Sequence, residues 1–407
     1  MWVDSLCILQ DSNSDWLKEA EQMGDVYYNS FLVIAALGAT SSDQGLFSRR
    51  DPLAYSPCHI LQDHDGKDLW VKQYPEDIDL GSNWFRNSPL YTRGWVLQER
   101  LLAPRTLNFG VGLVWECREK CLYDFHYNDP IQVVPIPNGK ALVHLDSPLF
   151  TNGSNSNIEK LDARIFRSWI KNILVPYSRS KLTVPTDRLI AVSGIIKRFS
   201  QKTGWDNVYG LWKPFMLDQL LWQSLALRLH YPFKLKPRIP GIPSWSWASI
   251  ESPVLYLWHH LEAVPIAVIT EILANTMSFS SRNQEAAPAP TIIIESALLR
   301  AEILLHGIVG KDYEVIVPEW TGSLSIMTEF SPDTNPLLYG PYFYVPLLER
   351  KFNLRESEES HVFGLLVTES RSVAGAYQRA GLLELTLEEY MPSIATICER
   401  RSGILLV

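Results

Sequence analysis

Apolar and polar positions divide the chain into three stretches of different periodicity. The first opens on Trp2-Val-Asp-Ser-Leu-Cys-Ile-Leu-Gln-Asp11, a run that reads as a buried strand leading into a polar turn. Trp16, Ala20, Met23 and Tyr27 then recur at i, i+4, i+7 and i+11, the stripe of an amphipathic helix. Ser12 or Ser14 can cap it, and Asp15 suits its dipole. After Asn29-Ser30, Phe31-Leu-Val-Ile-Ala-Ala36 is continuously apolar, as a parallel strand covered on both faces must be. Strand, helix and strand in this order predict a right-handed βαβ unit.

A polar loop and a Pro-punctuated stretch follow, with a short strand expected over 69–74. Arg93-Gly-Trp-Val-Leu-Gln-Glu-Arg-Leu-Leu102 then carries a helical pattern that places Trp95 and Glu99 on one side. Strands are expected over Arg105–Phe109 and Leu113–Cys117, which closes a first domain at about residue 125. Residues 126–157 are rich in Pro, Asn, Gly and Ser and read as a linker.

The second stretch, 158–275, is a Trp-rich helical region. Phe166, Trp169, Ile170 and Ile173 make one stripe, Leu189–Phe199 a second and Trp212–Leu229 a third. Within it, Pro243-Ser-Trp-Ser-Trp-Ala-Ser249 alternates indoles with small residues, so Trp245 and Trp247 share a face if the backbone is extended. Such a pair either stacks a planar ligand or locks the helical region onto the strands beyond it. The third stretch, 276–407, is β-rich. Its loop over 276–290 precedes strands at Thr291–Ile294, Ala301–Val309, Tyr342–Leu347, Val362–Val367 and Ile404–Val407, with a helix around Leu385–Met391.

Composition narrows the function classes. With 46% hydrophobic and 20% charged residues the chain is globular, and a formal charge of -8 with pI near 5.7 argues against nucleic acid as a partner. No apolar run reaches the roughly 20 residues a membrane-spanning helix needs. There is no signal-like start, so a cytoplasmic protein is expected. Five scattered cysteines fit reduced thiols. Cys117, Cys121 and His126 lack the spacing of a zinc knuckle, and no metal is expected. Walker, Rossmann, His-Glu-x-x-His and nucleophile-elbow motifs are all absent.

Glu99 is the carboxylate that needs explaining. It either pairs with Arg93, Arg100 or Arg105, or it lines a pocket beside Trp95. Asp4, Gln10 and Asp11, at the end of the first expected strand, are the next candidates, because ligands of parallel α/β sheets bind at the carboxyl ends of strands.

The blocks Trp2–Asp11, Met23-Gly-Asp-Val-Tyr27, Ile34-Ala-Ala36 with Gly45-Leu46, and Arg93-Gly-Trp-Val-Leu-Gln-Glu99 resemble, in this order, the fungal heterokaryon-incompatibility (HET) domain family. Trp115-Glu-Cys117, Leu182-Thr183 with Asp187-Arg188, and Pro243–Ser249 resemble the region that often follows such domains. The family's opening aromatic-Ala-Leu-Ser-Tyr-x-Trp-Gly block does not precede Trp2, so an N-terminally truncated domain is expected. HET domains are similar to TIR domains, and the resemblance therefore implies a TIR/flavodoxin-like parallel sheet. It also implies a role in innate-immunity-type programmed cell death, with protein partners that include self-association through the HET domain. By the same resemblance Glu99, in its Trp-x-x-x-Glu context, would hold the ribose of NAD as the nicotinamide bond breaks. NAD is then a substrate, and no cofactor is required. The alternative from a different class is a non-catalytic protein–protein interaction module.

Overall fold

The structure, a computed structural model, describes residues 1–47, 58–71, 88–110, 112–123, 139–144, 158–225, 236–256, 263–273, 289–306, 312–321, 328–333, 341–353, 358–387 and 393–407. The chain forms two compact units, Met1–Lys202 and Thr203–Val407. Both combine helices with sheets, and the protein is of mixed α/β class.

The first unit starts with a single helical turn, α1 (Asp4–Cys7), followed by α2 (Asn13–Tyr28). The strand expected over Trp2–Asp11 does not form. Val3 O accepts from Leu6 N and Cys7 N, Leu9 N donates to the Asp15 carboxylate at 2.9 Å, and the Gln10 amide bonds Ile8 O at 2.9 Å. These local bonds satisfy backbone groups that a strand would have to satisfy through a neighbour. Leu6 and Leu9 are consequently exposed, at 79% and 62%. Ser12 caps α2 as expected, its hydroxyl accepting from Asp15 N.

Strand β1 (Val33–Ala35) is followed by an exposed antiparallel hairpin, β2 (Cys58–Gln62) with β3 (Asp68–Val71). Helix α3 (Gly94–Leu102) leads into β4 (Arg105–Phe109), β5 (Leu113–Cys117) and β6 (Cys121–Tyr123). The sheet order is β1-β4-β5-β6. Only β1 and β4 run parallel, with Val33 opposite Thr106 and Ala35 opposite Asn108; the other pairs are antiparallel. The expected parallel sheet is thus reduced, among the described residues, to one pair. The expected βαβ unit is replaced by one in which α3 lies between β1 and β4 in sequence.

Further helices of this unit include α4 (Gly139–His144), α5 (Ile158–Trp169) and α6 (Ser193–Thr203). Phe166, Trp169, Ile170 and Ile173 are buried, as their spacing predicts. A π-helical turn at Ile170–Leu174 carries the stripe past the end of α5. The pattern from Leu189 begins as a 3₁₀ turn, Ile190–Val192, and becomes α-helical only at Ser193.

In the second unit, residues 212–225 do not form one continuous helix. Leu211–Trp212 pairs with Asn207–Val208 across a tight turn in which Tyr209 and Gly210 have φ of 48° and 88°, the geometry of a two-residue hairpin. The Gln219 side chain then brackets Trp212, accepting from its N–H at 3.0 Å and donating to its carbonyl at 2.7 Å. That clamp leaves room for one helical turn, Met216–Gln219, before Gln223–Ser224 pairs with Val254–Leu255. Residues 226–229 of the expected helix lie outside the described residues.

The β-rich expectation for the last third holds. Strands β7 (Val264–Pro265), β8 (Val268–Leu273), β9 (Thr291–Ser296), β10 (Leu299–His306), β11 (Asp312–Ile316), β12 (Thr328–Pro332), β13 (Tyr342–Asn353), β14 (Glu358–Glu369), β15 (Ala376–Leu387) and β16 (Ser402–Leu406) form one sheet. Its order is β8-β9-β16-β15-β14-β13-β10-β11, with β7 on β13 and β12 on β15. Leu385–Leu387 continue β15 instead of starting a helix, and 388–391 lie outside the described residues. Most of the 276–290 loop does too. Trp245 and Trp247 are buried at 0% and 2% exposure, on a segment that turns into a 3₁₀ helix at Trp247. They are core anchors and present no stacking face. Beside them Arg379, wholly buried, bonds Asp333, Leu220 O and Trp222 O and lies 3.6 Å over the Trp222 ring. The bonds to the two carbonyls and the ring contact fix the Trp-rich segment to β15, and Asp333 balances the buried charge.

Candidate functional site

Helix α3 carries the candidate carboxylate, and its sequence explains how it is held. Arg93 is extended, Gly94 N donates to Lys181 O at 2.7 Å and Lys181 N to Thr92 O at 2.6 Å, so a backbone ladder pins the helix start. A Cβ on Gly94 would lie 2.6 Å from Leu182 Cδ2, so a larger residue there would have to displace the Leu182 side chain. Val96, Gln98, Leu101 and Leu102 are buried, which turns Trp95 and Glu99 to a half-buried side.

The far end of the helix is closed by a buried cation. The Lys140 ammonium bonds the carbonyls of Arg100 and Ala103, the latter at 2.9 Å, and Thr106 Oγ1 at 2.9 Å. A positive charge there suits both the orphan carbonyls and the helix dipole. Arg100 forms a two-pronged pair with Glu116, at 2.8 and 2.9 Å, and sits 4.9 Å over the Tyr91 ring. Burial works to raise Glu116, but Arg100 and Lys140 outweigh it and hold the carboxyl below its ordinary value. Burial pushes the Lys140 ammonium down to about 8, against the pull of Glu116.

With Arg100 committed to Glu116, Glu99 has a different partner. Tyr27 Oη, from α2, donates to Glu99 Oε2 at 2.9 Å. Arg105 reaches the Phe31 carbonyl and lies 5.2 Å over the Phe31 ring. Arg93 acts on Glu99 only through space. The arginine-paired reading of Glu99 is therefore not what the structure shows. Burial raises the Glu99 carboxyl above its ordinary range; the Tyr27 hydrogen bond opposes that, the Asp4 charge adds to it, and Arg93 opposes it. Burial, with the Glu99 charge beside it, pushes the Tyr27 phenol far up, so it stays a neutral donor.

Aromatic rings flank this pair. Trp2 meets the Tyr27 ring edge-on at 5.6 Å, and Trp16 meets Trp95 edge-on at 6.0 Å. Trp95 thus lies on the Glu99 side of α3, held by α2. Of the other sequence candidates, Asp4 lies close enough to act on Glu99 and Tyr27 through its charge. Gln10 and Asp11 are exposed on the segment between α1 and α2, the Gln10 amide spent on Ile8 O, and no hydrogen bond joins either to Glu99 among the described residues. None of the five cysteines is in a disulfide, and among the described residues no cluster of His, Cys, Asp or Glu could hold a metal. His126 lies outside them. The sequence placed Tyr27 in a helical stripe and in the Met23–Tyr27 block but gave it no role in the site. A polar-tipped aromatic closing the Met23–Tyr27 block is the signal that could have singled it out.

Residues 1–99 match the family model "Heterokaryon incompatibility protein (HET)". That segment is similar to the HET family. No curated protein and no solved structure matches the chain significantly. The HET segment ends on Glu99, so the whole Tyr27–Glu99 contact falls inside it. Several HET positions reach beyond residue 99 for partners. Gln98 Oε1 accepts from Gly194 N at 2.7 Å, and Asp25 pairs with Lys197 at 2.9 Å and Arg198 at 2.7 Å.

Proposed function

We propose that the chain, whose residues 1–99 match the HET family model, acts as a heterokaryon-incompatibility effector of regulated cell death on self/non-self recognition, and that it does so by TIR-like hydrolysis of NAD at Glu99. Water would replace nicotinamide on the ribose C1′, releasing nicotinamide, ADP-ribose and a proton. The single observation that carries this reading is that Glu99 is half-buried and hydrogen-bonded to a neutral phenol, not to an arginine. Its negative charge therefore remains available to accept ribose hydroxyls and to stabilise the oxocarbenium character that develops as nicotinamide leaves. Trp95 borders the same side. Asp4, Gln10 and Asp11 are the remaining candidates to contact the nucleotide, and self-association through the HET segment would assemble the active form.

The test is NAD loss and nicotinamide release by the purified chain. Glu99→Gln keeps the shape and the Tyr27 contact but removes the charge, and is expected to slow turnover about 10²-fold or more. An intact NAD pool with the wild-type chain, or equal rates in both proteins, would end this reading. One feature favours a second reading. The β2–β3 hairpin exposes Ile60, Leu61, Leu69, Trp70 and Val71, each at about half its full area or more, and such clusters serve protein contacts. If Glu99→Gln still triggers death while NAD persists, the chain is a non-catalytic interaction module.

A further inference from the structure

We infer that Tyr27 is the positioning residue of the site: its hydroxyl fixes one oxygen of Glu99 and leaves the other for a ribose hydroxyl. The inference rests on the NAD-cleavage reading and adds a residue to it. Its geometry is simple. The 2.9 Å bond engages Oε2 alone, and no hydrogen bond to Oε1 occurs among the described residues. The donor is itself immobilised. Tyr27 ends the stripe by which α2 packs on α3, Trp2 meets its ring edge-on at 5.6 Å, and its carbonyl accepts from Ser30 Oγ at 2.7 Å.

A phenol is the appropriate chemistry for this task. An arginine at the same place would orient Glu99 but neutralise it, and water would leave it free to rotate. A neutral donor holds the carboxylate and favours its charged form without cancelling its field. The charged and titratable groups facing Glu99 are Asp4 from α1, Tyr27 from α2 and Arg93 just before α3. Burial and Asp4 disfavour the carboxylate, so the donation from Tyr27 opposes them directly.

The experiment is Tyr27→Phe in the full chain, which keeps the ring and its Trp2 packing and deletes only the hydroxyl. Two readouts are combined: the pH profile of NAD cleavage, and titration of the Glu99 carboxyl followed by ¹³C NMR, the resonance being assigned by its loss in Glu99→Gln. Expected are a fall in kcat of about tenfold, as for a lost bond to a charged group, little change in KM, and an acid limb displaced to higher pH. The Glu99 resonance should titrate at higher pH by a matching amount, with the thermal midpoint almost unchanged. Glu99 titration and pH profile unmoved in Tyr27→Phe, beside an active wild type, would overturn the role of Tyr27 alone. A wild type inert toward NAD would overturn the enzymatic reading and the catalytic part of this inference with it. In that case the NMR titration still decides whether Tyr27 holds the carboxylate.

Discussion

At the residue scale, the chain places several charged groups where burial works against them, and their fates differ with their partners. Arg100 and Lys140 hold the Glu116 carboxyl below its ordinary value, whereas burial raises Glu99 against the weaker opposition of the Tyr27 phenol and the Arg93 charge. Asp218 in the second unit has less still. Burial pushes its carboxyl up to about 6, opposed only by a backbone hydrogen bond. Folding therefore favours the protonated form. No penalty exists below the unfolded-state value near 4, and the penalty grows as pH rises through about 6 and is complete above it. Asp218→Asn is expected to stabilise the protein by about 1–2 kcal/mol at pH 7.5, with allowance for partial exposure, and to be neutral at pH 3.5. Urea melts at the two pH values check this. The Trp95–Glu99 spacing was legible because helical periodicity is a local property. The partner of Glu99 was not, because Tyr27 is separated from it by 72 positions.

At the element scale, α2 and α6 cross at two glycines. A Cβ on Gly24 would sit 2.9 Å from Gly194 Cα, and one on Gly194 would sit 2.8 Å from Gln98 Oε1. The first obstacle is backbone and cannot rotate away. Gly24→Ala would gain up to about 1 kcal/mol in helix propensity, yet overpacking costs about 1–3 kcal/mol. Net destabilisation is expected, read as a lower urea midpoint. Gly45→Ala makes a contrasting control: its Cβ would meet nothing within 4 Å, and only the φ of +70° opposes it. The same scale explains why Trp2–Asp11 misled. Its apolar pattern is that of a strand, but strand formation needs a partner edge, whereas α1 and the Asp15 and Gln10 side chains satisfy the backbone locally.

At the scale of the molecule, the first unit extends well past the residues that match the HET family. Gly94 docks on Lys181, Gln98 on Gly194 and Asp25 on Lys197 and Arg198. A fragment Met1–Lys202 is expected to unfold cooperatively, and a fragment 1–125 to lack a sigmoidal melt by circular dichroism, because these partners and the Lys140 cap are then missing. By itself the sequence determined the mixed α/β class, strands β4 and β5 to the residue, the stripe on α2, the β-rich final third and the HET resemblance. Each depends on periodicity or on residue blocks that are contiguous in the chain. Only the tertiary structure decided that the N-terminal sheet is mostly antiparallel, that Gln219 breaks the third helical stripe, that Trp245 and Trp247 are core, and that Arg100 pairs with Glu116. That last choice frees Glu99 for Tyr27. Competition among three nearby arginines for two carboxylates is settled by which strand and helix lie opposite each group, and no spacing along the chain encodes it.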